Sequence, residues 1–386
     1  MKRFYVALLS LFFTLPWTRP SFGYPNFISY GYQSCMSCHY NPYGNGPLTD
    51  YGRAVATSEI SSRYFVDEKV TDEELAKRSS FLGHPNPIEW LRPSLNYRGL
   101  SLTSNLSGTE RSTRFVNMDL SMSLVAKLLS SDSLILVGQI AYAPTPIALA
   151  GSQNIKNYRS REFYAGYRIT KNFGVYGGLM DKVFGIRIPD HIAYSRTLTG
   201  LNQNDQTHGI LFHFVNKSLE LGIQPFIGNL VQNITLRQKG VTTQVEFTAA
   251  DTTRLGMSYL KSESEFTAVQ MAATHLRTGV GHANSILAEF GRVNRQLKTQ
   301  QTTEVNDYAM TQSQLRITRG AWAILTLEGK KSTSDPNHVA TRIAPGIQIF
   351  PRQNIEVRAD AYITPNSTAN NTPPQCDLAA QLHLWF

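Results

Sequence analysis

The sequence predicts an all-β fold: a transmembrane antiparallel β-barrel of about 16 strands that follows a small N-terminal module. Three observations support this prediction. Apolar and polar residues alternate in successive segments from about Ser94 to the end of the chain. No apolar run after residue 23 is long enough for a membrane-spanning helix. The last alternating segment ends on an aromatic residue, Phe386.

Residues 1–23 have the features of a secretory signal peptide. Lys2 and Arg3 precede an apolar stretch at residues 4–15, and small residues at 21–23 offer a cleavage site. A membrane anchor is the alternative, but the apolar stretch is shorter than the roughly 20 residues of a span, and Pro16 interrupts it. We therefore expect an exported chain with two further domains, residues 24–93 and residues 94–386.

The composition and charge of the chain argue against a nucleic-acid-binding protein. The 386 residues include 17% charged residues and a formal charge of +9, which becomes +6 once Lys2, Arg3 and Arg19 are removed. This excess is modest, and neither a basic helix nor a nucleic-acid-binding motif accompanies it. We expect no nucleic-acid partner.

The N-terminal module is organised around Cys35-Met36-Ser37-Cys38-His39. This C-x-x-C-H spacing is that of covalent haem attachment, in which two thiols bind the porphyrin edge and the next residue provides the proximal imidazole. We predict one haem c per chain, with Cys35 and Cys38 as its attachment points and His39 as an iron ligand.

Two other interpretations of the cysteine pair are weaker. A redox dithiol is expected beside a βαβ pattern, which the sequence lacks. A zinc site would need further ligands, and the third cysteine, Cys376, is far away in the sequence. Cys376 itself is interpreted as a lone thiol without a role.

The rest of the module predicts local structure around this motif. Residues 41–47 are rich in turn formers and should form a loop at the haem edge. Thr71 and Glu74 form a capping-box pattern that predicts a helix from Asp72 to Ser80. His84 is the candidate distal iron ligand; a structural histidine, an open coordination position and a ligand from the later domain are the alternatives.

The strand pattern is clearest between residues 116 and 128. Leu120, Met122 and Leu124 share one face, opposite Ser121 and Ser123. Further alternating segments occur at residues 134–142, 163–169, 241–249 and 355–363. A secreted β-sandwich is also built from such strands. The length of the array favours a barrel, as does the final segment, which resembles the closing strand of bacterial outer-membrane barrels with its terminal Phe.

Taken together, the chain resembles the fused cytochrome and porin proteins of the outer membrane known from iron-oxidising bacteria. The shared residues are Pro25-x-Phe27, the C-x-x-C-H motif ten residues after that proline, and Tyr51-Gly52-Arg53. The sequence departs from the family at Ser29-Tyr30-Gly31, where Arg-Gln-Thr is expected, and at Gln33, where Met is usual. The resemblance implies a monohaem domain within or beside a barrel of about 16 strands.

The resemblance also implies a function and partners. It implies electron transfer across the outer membrane between an extracellular donor or acceptor, such as ferrous iron, and a periplasmic carrier, with the barrel in contact with membrane lipid. Arg53 is a candidate partner for a haem propionate; a solvated arginine after a turn is the alternative. The sequence favours an electron carrier over an enzyme. A porin gated by its haem and a peroxidase-like enzyme remain alternatives.

Overall fold

The computed structural model describes residues 25–84, 88–106, 111–129, 132–142, 158–190, 192–202, 205–333, 335–365 and 375–386. The predicted signal peptide lies outside the described residues. The strands are β1 (Leu91–Ser104), β2 (Ser112–Lys127), β3 (Leu134–Tyr142), β4 (Tyr158–Arg159), β5 (Phe163–Arg168), β6 (Phe173–Met180), β7 (Thr207–Val215), β8 (Leu219–Phe226), β9 (Lys239–Ala250), β10 (Thr253–Glu263), β11 (Thr267–Val280), β12 (Asn284–Leu297), β13 (Thr302–Thr318), β14 (Ala321–Ser332), β15 (Asp335–Arg352), β16 (Ile355–Thr364) and β17 (Gln375–Trp385).

These strands form one closed antiparallel barrel. β1 pairs with both β2 and β17, so the sheet has no free edge between its first and last strands. The terminal residue takes part, because Leu95 and Phe386 exchange two backbone hydrogen bonds of 2.8 Å. β4 and β5 both pair with β3, so they are two segments of one interrupted strand. The barrel therefore has 16 strand positions, as the sequence predicts.

The outer surface of the barrel is apolar. On β2, Leu120, Met122 and Leu124 are exposed, whereas Ser121 and Ser123 between them are buried on the lumen side. A soluble sandwich would bury the apolar face of such a strand. A closed barrel that exposes its apolar face satisfies all its backbone hydrogen bonds internally and suits a lipid environment. The chain is an outer-membrane β-barrel. Among the described helices, none is long and apolar enough to span a membrane.

The two ends of the barrel differ in their connections. At the end that carries Leu91 and Phe386 the turns are short, such as residues 251–252, 319–320 and 353–354. At the other end the connections include residues 143–157, 181–206 and 365–374. Short turns are typical of the periplasmic side of such barrels. We call these the short-turn end and the long-loop end.

Residues 25–84, which we call the plug, enter the barrel from the short-turn end. The helices of the plug are α1 (Asp50–Val55), which continues into one π-helical turn (Ala56–Ile60), and α2 (Asp72–Lys77); three 3₁₀ turns lie at Pro25–Tyr30, Cys35–Ser37 and Phe81–Gly83. The capping box at Thr71 and Glu74 is confirmed. The helix it starts ends at Lys77 rather than at Ser80, because Arg78 leaves the helical conformation.

An apolar core joins the plug to the barrel at this end. Trp322 of β14 is fully buried, and its indole nitrogen donates to the carbonyl of Ala283 at 3.0 Å. The ring of Trp322 lies 6.4 Å from that of Phe27 and 5.7 Å from that of Phe350. Cys38, Val55 and Ile60 belong to the same cluster. The plug is thus packed into the barrel as part of its interior.

Candidate functional site

The cysteine motif forms a single tight turn inside the barrel. Cys35–Ser37 is a 3₁₀ turn, and the backbone nitrogens of Cys38 and His39 both donate to the carbonyl of Cys35, at 3.1 and 3.0 Å. In a 3₁₀ turn the side chains at positions i and i+3 are eclipsed, so the two cysteine side chains leave the backbone on the same side. The loop after the motif is closed by a backbone bridge between His39 and Leu48.

Helix α1 holds the motif from behind. Thr49 caps this helix through a 3.0 Å hydrogen bond from the backbone nitrogen of Gly52 to its hydroxyl. Gly52 lies so close to the motif that an added Cβ would be 2.4 Å from the carbonyl oxygen of Cys38. Only glycine fits this contact without a shift of the backbone, which gives a physical reason for the glycine in Tyr51-Gly52-Arg53.

The segment before Cys35 is fixed by charged residues of the barrel wall. Ser34 donates to Glu220 at 2.9 Å, and the carbonyl of Gln33 accepts hydrogen bonds from Arg277 at 2.8 Å and Arg254 at 3.3 Å. Glu246 pairs with both arginines. Since a buried charge is tolerated only with partners, this network and the plug segment stabilise one another.

The environment of Cys35 does not suit a redox dithiol. Burial raises the pKa of the Cys35 thiol to about 11. A reactive Cys-x-x-Cys pair depends on the opposite shift, a lowered thiol pKa that supplies the thiolate.

Among the described residues, no group of three or more His, Cys, Asp or Glu side chains is arranged to hold a metal ion. The cysteine motif therefore has no zinc-type ligand set in this part of the chain.

The connection between β6 and β7 folds into the lumen from the long-loop end. We call its described residues, 181–190, 192–202 and 205–206, the inward loop; it contains helix α3 (Tyr194–Thr199). Backbone nitrogens of the loop donate to the wall, from Val183 to Gln224 at 3.0 Å and from Gly185 to Ser258 at 2.9 Å. The side chains of Phe184, Ile186 and Ile188 are buried. These hydrogen bonds and this burial fix the loop against the wall.

A cavity lies between the plug and the inward loop. Cys35, Cys38 and His39 line it from the plug, together with the loop at residues 43–48. Residues 184–189 of the inward loop and inward side chains of the wall complete the lining. Together with the solvent space that opens from it, the cavity comprises about 2060 Å³. Plug and inward loop meet beside it, where Asn45 donates to Asp181 at 2.7 Å.

The structure brings four of the five predicted site residues to this cavity. Arg53 lines it and is buried, and its Nη2 donates to the carbonyl of Pro93 at 2.7 Å. His84 is not brought together with the others, because it is exposed at the end of the last turn of the plug and is absent from the cavity lining. Met36 points to the wall, where its sulfur contacts Arg168 and Tyr176.

Other lining residues were not singled out by the sequence. Among the described lining residues His39 and His383 are the only histidines, and none is a methionine. Both ring nitrogens of His383 are engaged, with Glu356 at 3.0 Å and Asn96 at 2.6 Å. Arg98 and Arg196 also line the cavity. Strand alternation places His383 and Arg98 on the polar face, but it does not show that they meet the plug.

The arrangement fits a covalently attached haem. Such attachment needs two thiols on one side of a turn, an adjacent imidazole and room for a porphyrin. Cys35, Cys38 and His39 meet the first two requirements in one turn. All three residues line the cavity, which is the space that a porphyrin attached to them would occupy.

Comparisons with solved structures agree with the fold. The barrel resembles a loop-deletion mutant of OmpT, an outer membrane protein of Vibrio cholerae, with 10% identity, a TM-score of 0.60, and coverage of 77% of this chain and 99% of that chain. It also resembles the outer membrane channel DcaP of Acinetobacter baumannii, with 13% identity, a TM-score of 0.55 and coverage of 77% and 97%. An anion-selective porin from Comamonas acidovorans gives 9% identity, a TM-score of 0.55 and coverage of 77% and 99%.

These likenesses show the fold: the chain has a porin-like barrel. No protein-family model matches the sequence, and no curated protein matches it.

Proposed function

We propose that this chain is an outer-membrane c-type cytochrome fused to its own barrel, and that it transfers electrons across the outer membrane. The observation that carries the proposal is the position of the C-x-x-C-H turn, which lines a cavity within a closed membrane barrel. A haem bound there would carry one electron at a time through its iron. The resemblance to cytochrome and porin fusions of iron oxidisers points the same way.

The residues of the chain have distinct roles in this proposal. Cys35 and Cys38 attach the cofactor, and His39 is its proximal ligand. Arg53 would neutralise a propionate. Asp50, a carboxylate whose charge acts on Arg53, already pairs with Arg92 at 2.6 Å. The wall network around Glu220 and Glu246 keeps the motif in place.

In this proposal the protein exchanges electrons with one partner on each side of the outer membrane. The plug lies at the short-turn end, which corresponds to the periplasm, so a periplasmic electron carrier would approach there. The inward loop faces the opposite side, where an extracellular donor or acceptor would exchange electrons. The barrel wall keeps this route apart from the hydrocarbon, which excludes charge.

The attachment step is tested on the purified protein. Wild type should retain haem stain after denaturation and show a reversible visible-range redox titration, whereas Cys35→Ala combined with Cys38→Ala should lose both. Cys376→Ala is the matched control and should behave as wild type, because Cys376 lies on β17 outside the cavity lining. Haem that extracts freely from wild type would overturn the proposal.

A haem-gated porin is the second candidate, and the likeness of the barrel to channel proteins favours it. The two candidates differ in conductance. An electron conduit with a fixed plug should pass little ionic current, whereas a gated porin should open and close with the oxidation state.

A further inference from the structure

Two of the arginines that line the cavity form no ion pair and no side-chain hydrogen bond with a described residue. Six arginines line it among the described residues: Arg53, Arg98, Arg161, Arg187, Arg196 and Arg277. Three of them have a carboxylate partner. Arg161 pairs with Asp119 at 2.9 Å, Arg187 pairs with Asp181, and Arg277 pairs with Glu246. Arg98 and Arg196 form neither an ion pair nor a side-chain hydrogen bond with any described residue.

The carboxylates whose charges act on Arg196 are those of Asp205, Asp181 and Glu289, and all three have other partners. Glu289 accepts hydrogen bonds from the backbone nitrogen of Ile186 and from the hydroxyl of Tyr308. Asp181 accepts hydrogen bonds from Asn45 and Gln206, both at 2.7 Å, besides its pair with Arg187. Asp205 pairs with Lys182 at 3.2 Å. Arg196 itself is 6% exposed, and its Nε is buried without a hydrogen bond. Burial of a guanidinium without a hydrogen bond or ion pair costs free energy unless an anion binds to it.

Arg98 lies in the barrel wall and is half-buried. It pairs in register with His383 on one side and Asp119 on the other. Asp119 already forms an ion pair with Arg161 and accepts a hydrogen bond of 2.7 Å from Asn96. Glu356, the other nearby carboxylate, accepts from His383 and Gln348. The Nε of Arg98 is likewise buried without a partner among the described residues.

We propose that Arg98 and Arg196 form an oxyanion-binding site of the cavity and that the groups they bind are carboxylates. A planar guanidinium can donate two parallel hydrogen bonds to the two oxygens of one carboxylate. Two such donors on one cavity suit a ligand with two carboxylates, and a porphyrin with two propionates is that kind of ligand. In that form the inference rests on the proposed function; free inorganic oxyanions share the chemistry and are the other source.

The test uses Arg98→Gln, Arg196→Gln and Arg196→Lys in the full-length protein. Arg292→Gln is the matched control, because it removes one arginine from an exposed pair with Asp307. If the ligands are haem carboxylates, both Gln variants lower the midpoint potential of the bound haem, since a positive charge nearby favours the reduced iron. Arg196→Lys should restore most of the potential, and Arg292→Gln should leave it unchanged.

A second arm detects free anions. The same variants are placed in planar bilayers, and the reversal potential is measured in a KCl gradient with and without inorganic phosphate. Loss of anion preference and of phosphate inhibition in the Gln variants supports the site with a free anion as its ligand. If the chain holds no haem, the proposed function fails while this arm still tests the site. Gln variants that match Arg292→Gln in both arms overturn the inference.

Discussion

The side-chain amide of Asn45 donates a hydrogen bond of 2.7 Å to the carboxylate of Asp181 and so joins the plug to the inward loop. These two segments enter the barrel from opposite ends. Their contact lies at the edge of the cavity that Cys35, Cys38 and His39 line. The position of the cysteine motif therefore depends on the far side of the barrel as well as on the wall.

We predict that Asn45→Ala loosens the loop at residues 41–47. Loss of a hydrogen bond to a charged group costs roughly 1.5–3 kcal/mol. Hydrogen exchange of residues 41–47 should therefore quicken by at least about tenfold. Asn172→Ala is the control, because Asn172 lies in an exposed turn and its side chain makes no hydrogen bond among the described residues. Equal rates of hydrogen exchange in the two variants would show that the hydrogen bond between Asn45 and Asp181 does not stabilise the loop.

The same contact should depend on pH in a defined direction. Burial alone would raise the pKa of Asp181, but the charge of Arg187 and the hydrogen bonds from Asn45 and Gln206 outweigh it and hold the pKa below its usual 3.8. A lowered folded-state pKa stabilises the contact above the unfolded value, and the stabilisation is lost as the pH falls through the folded value.

The rate of hydrogen exchange of residues 41–47, corrected for the intrinsic rate, should therefore be constant from pH 7 to about pH 5. This rate should rise only below about pH 4. Asp181→Asn should lack this rise. A rise that begins near pH 6 would contradict the assignment to Asp181.

Gly52→Ala should disturb the packing of α1 against the cysteine turn. The new methyl group would lie 2.4 Å from the carbonyl oxygen of Cys38, and overpacking of this kind costs typically about 1–3 kcal/mol. We expect faster proteolysis of residues 35–55 in the folded barrel. Gly329→Ala is the control, because an added Cβ there meets no atom within 4 Å. Unchanged protection in Gly52→Ala would contradict the close contact.

An arginine on the outer face should destabilise the barrel according to its depth. Met122 is exposed near the middle of β2, and Met122→Arg should cost about 2–4 kcal/mol in lipid. Thr113 lies near the end of the same strand, and Thr113→Arg should cost about 0–1 kcal/mol. Reversible urea unfolding in lipid vesicles measures both changes. Equal costs would mean that the exposed apolar face does not contact hydrocarbon.

Much of this fold is readable from the sequence because a barrel strand is a local pattern. The alternation at Leu120 to Leu124 predicts the strand, and the repetition of such segments to the end of the chain predicts a barrel of about 16 strands. The capping box at Thr71 and Glu74 is also local, and it is confirmed. The end of that helix depends on where the chain turns next, which the capping pattern does not determine.

The cavity was harder to predict because it is made of distant residues. Phe184, Ile186 and Ile188 are apolar, but their burial in the lumen depends on hydrogen bonds to the wall, such as that of Gly185 to Ser258. Arg196 and Arg98 come from the inward loop and the first strand, and only closure of the barrel places them on one cavity. The position of His84 in the sequence makes it a candidate ligand, but the tertiary structure leaves it outside the cavity.

The central claim is that electrons cross the membrane through this one chain, and transfer across a sealed membrane tests it most directly. Wild type and His39→Ala are reconstituted in liposomes that enclose a redox dye, and an impermeant reductant is added outside. We predict that the dye is reduced rapidly with wild type and at the rate of protein-free liposomes with His39→Ala. Equal rapid reduction with both proteins would contradict the claim, because the path would then not pass through the haem site.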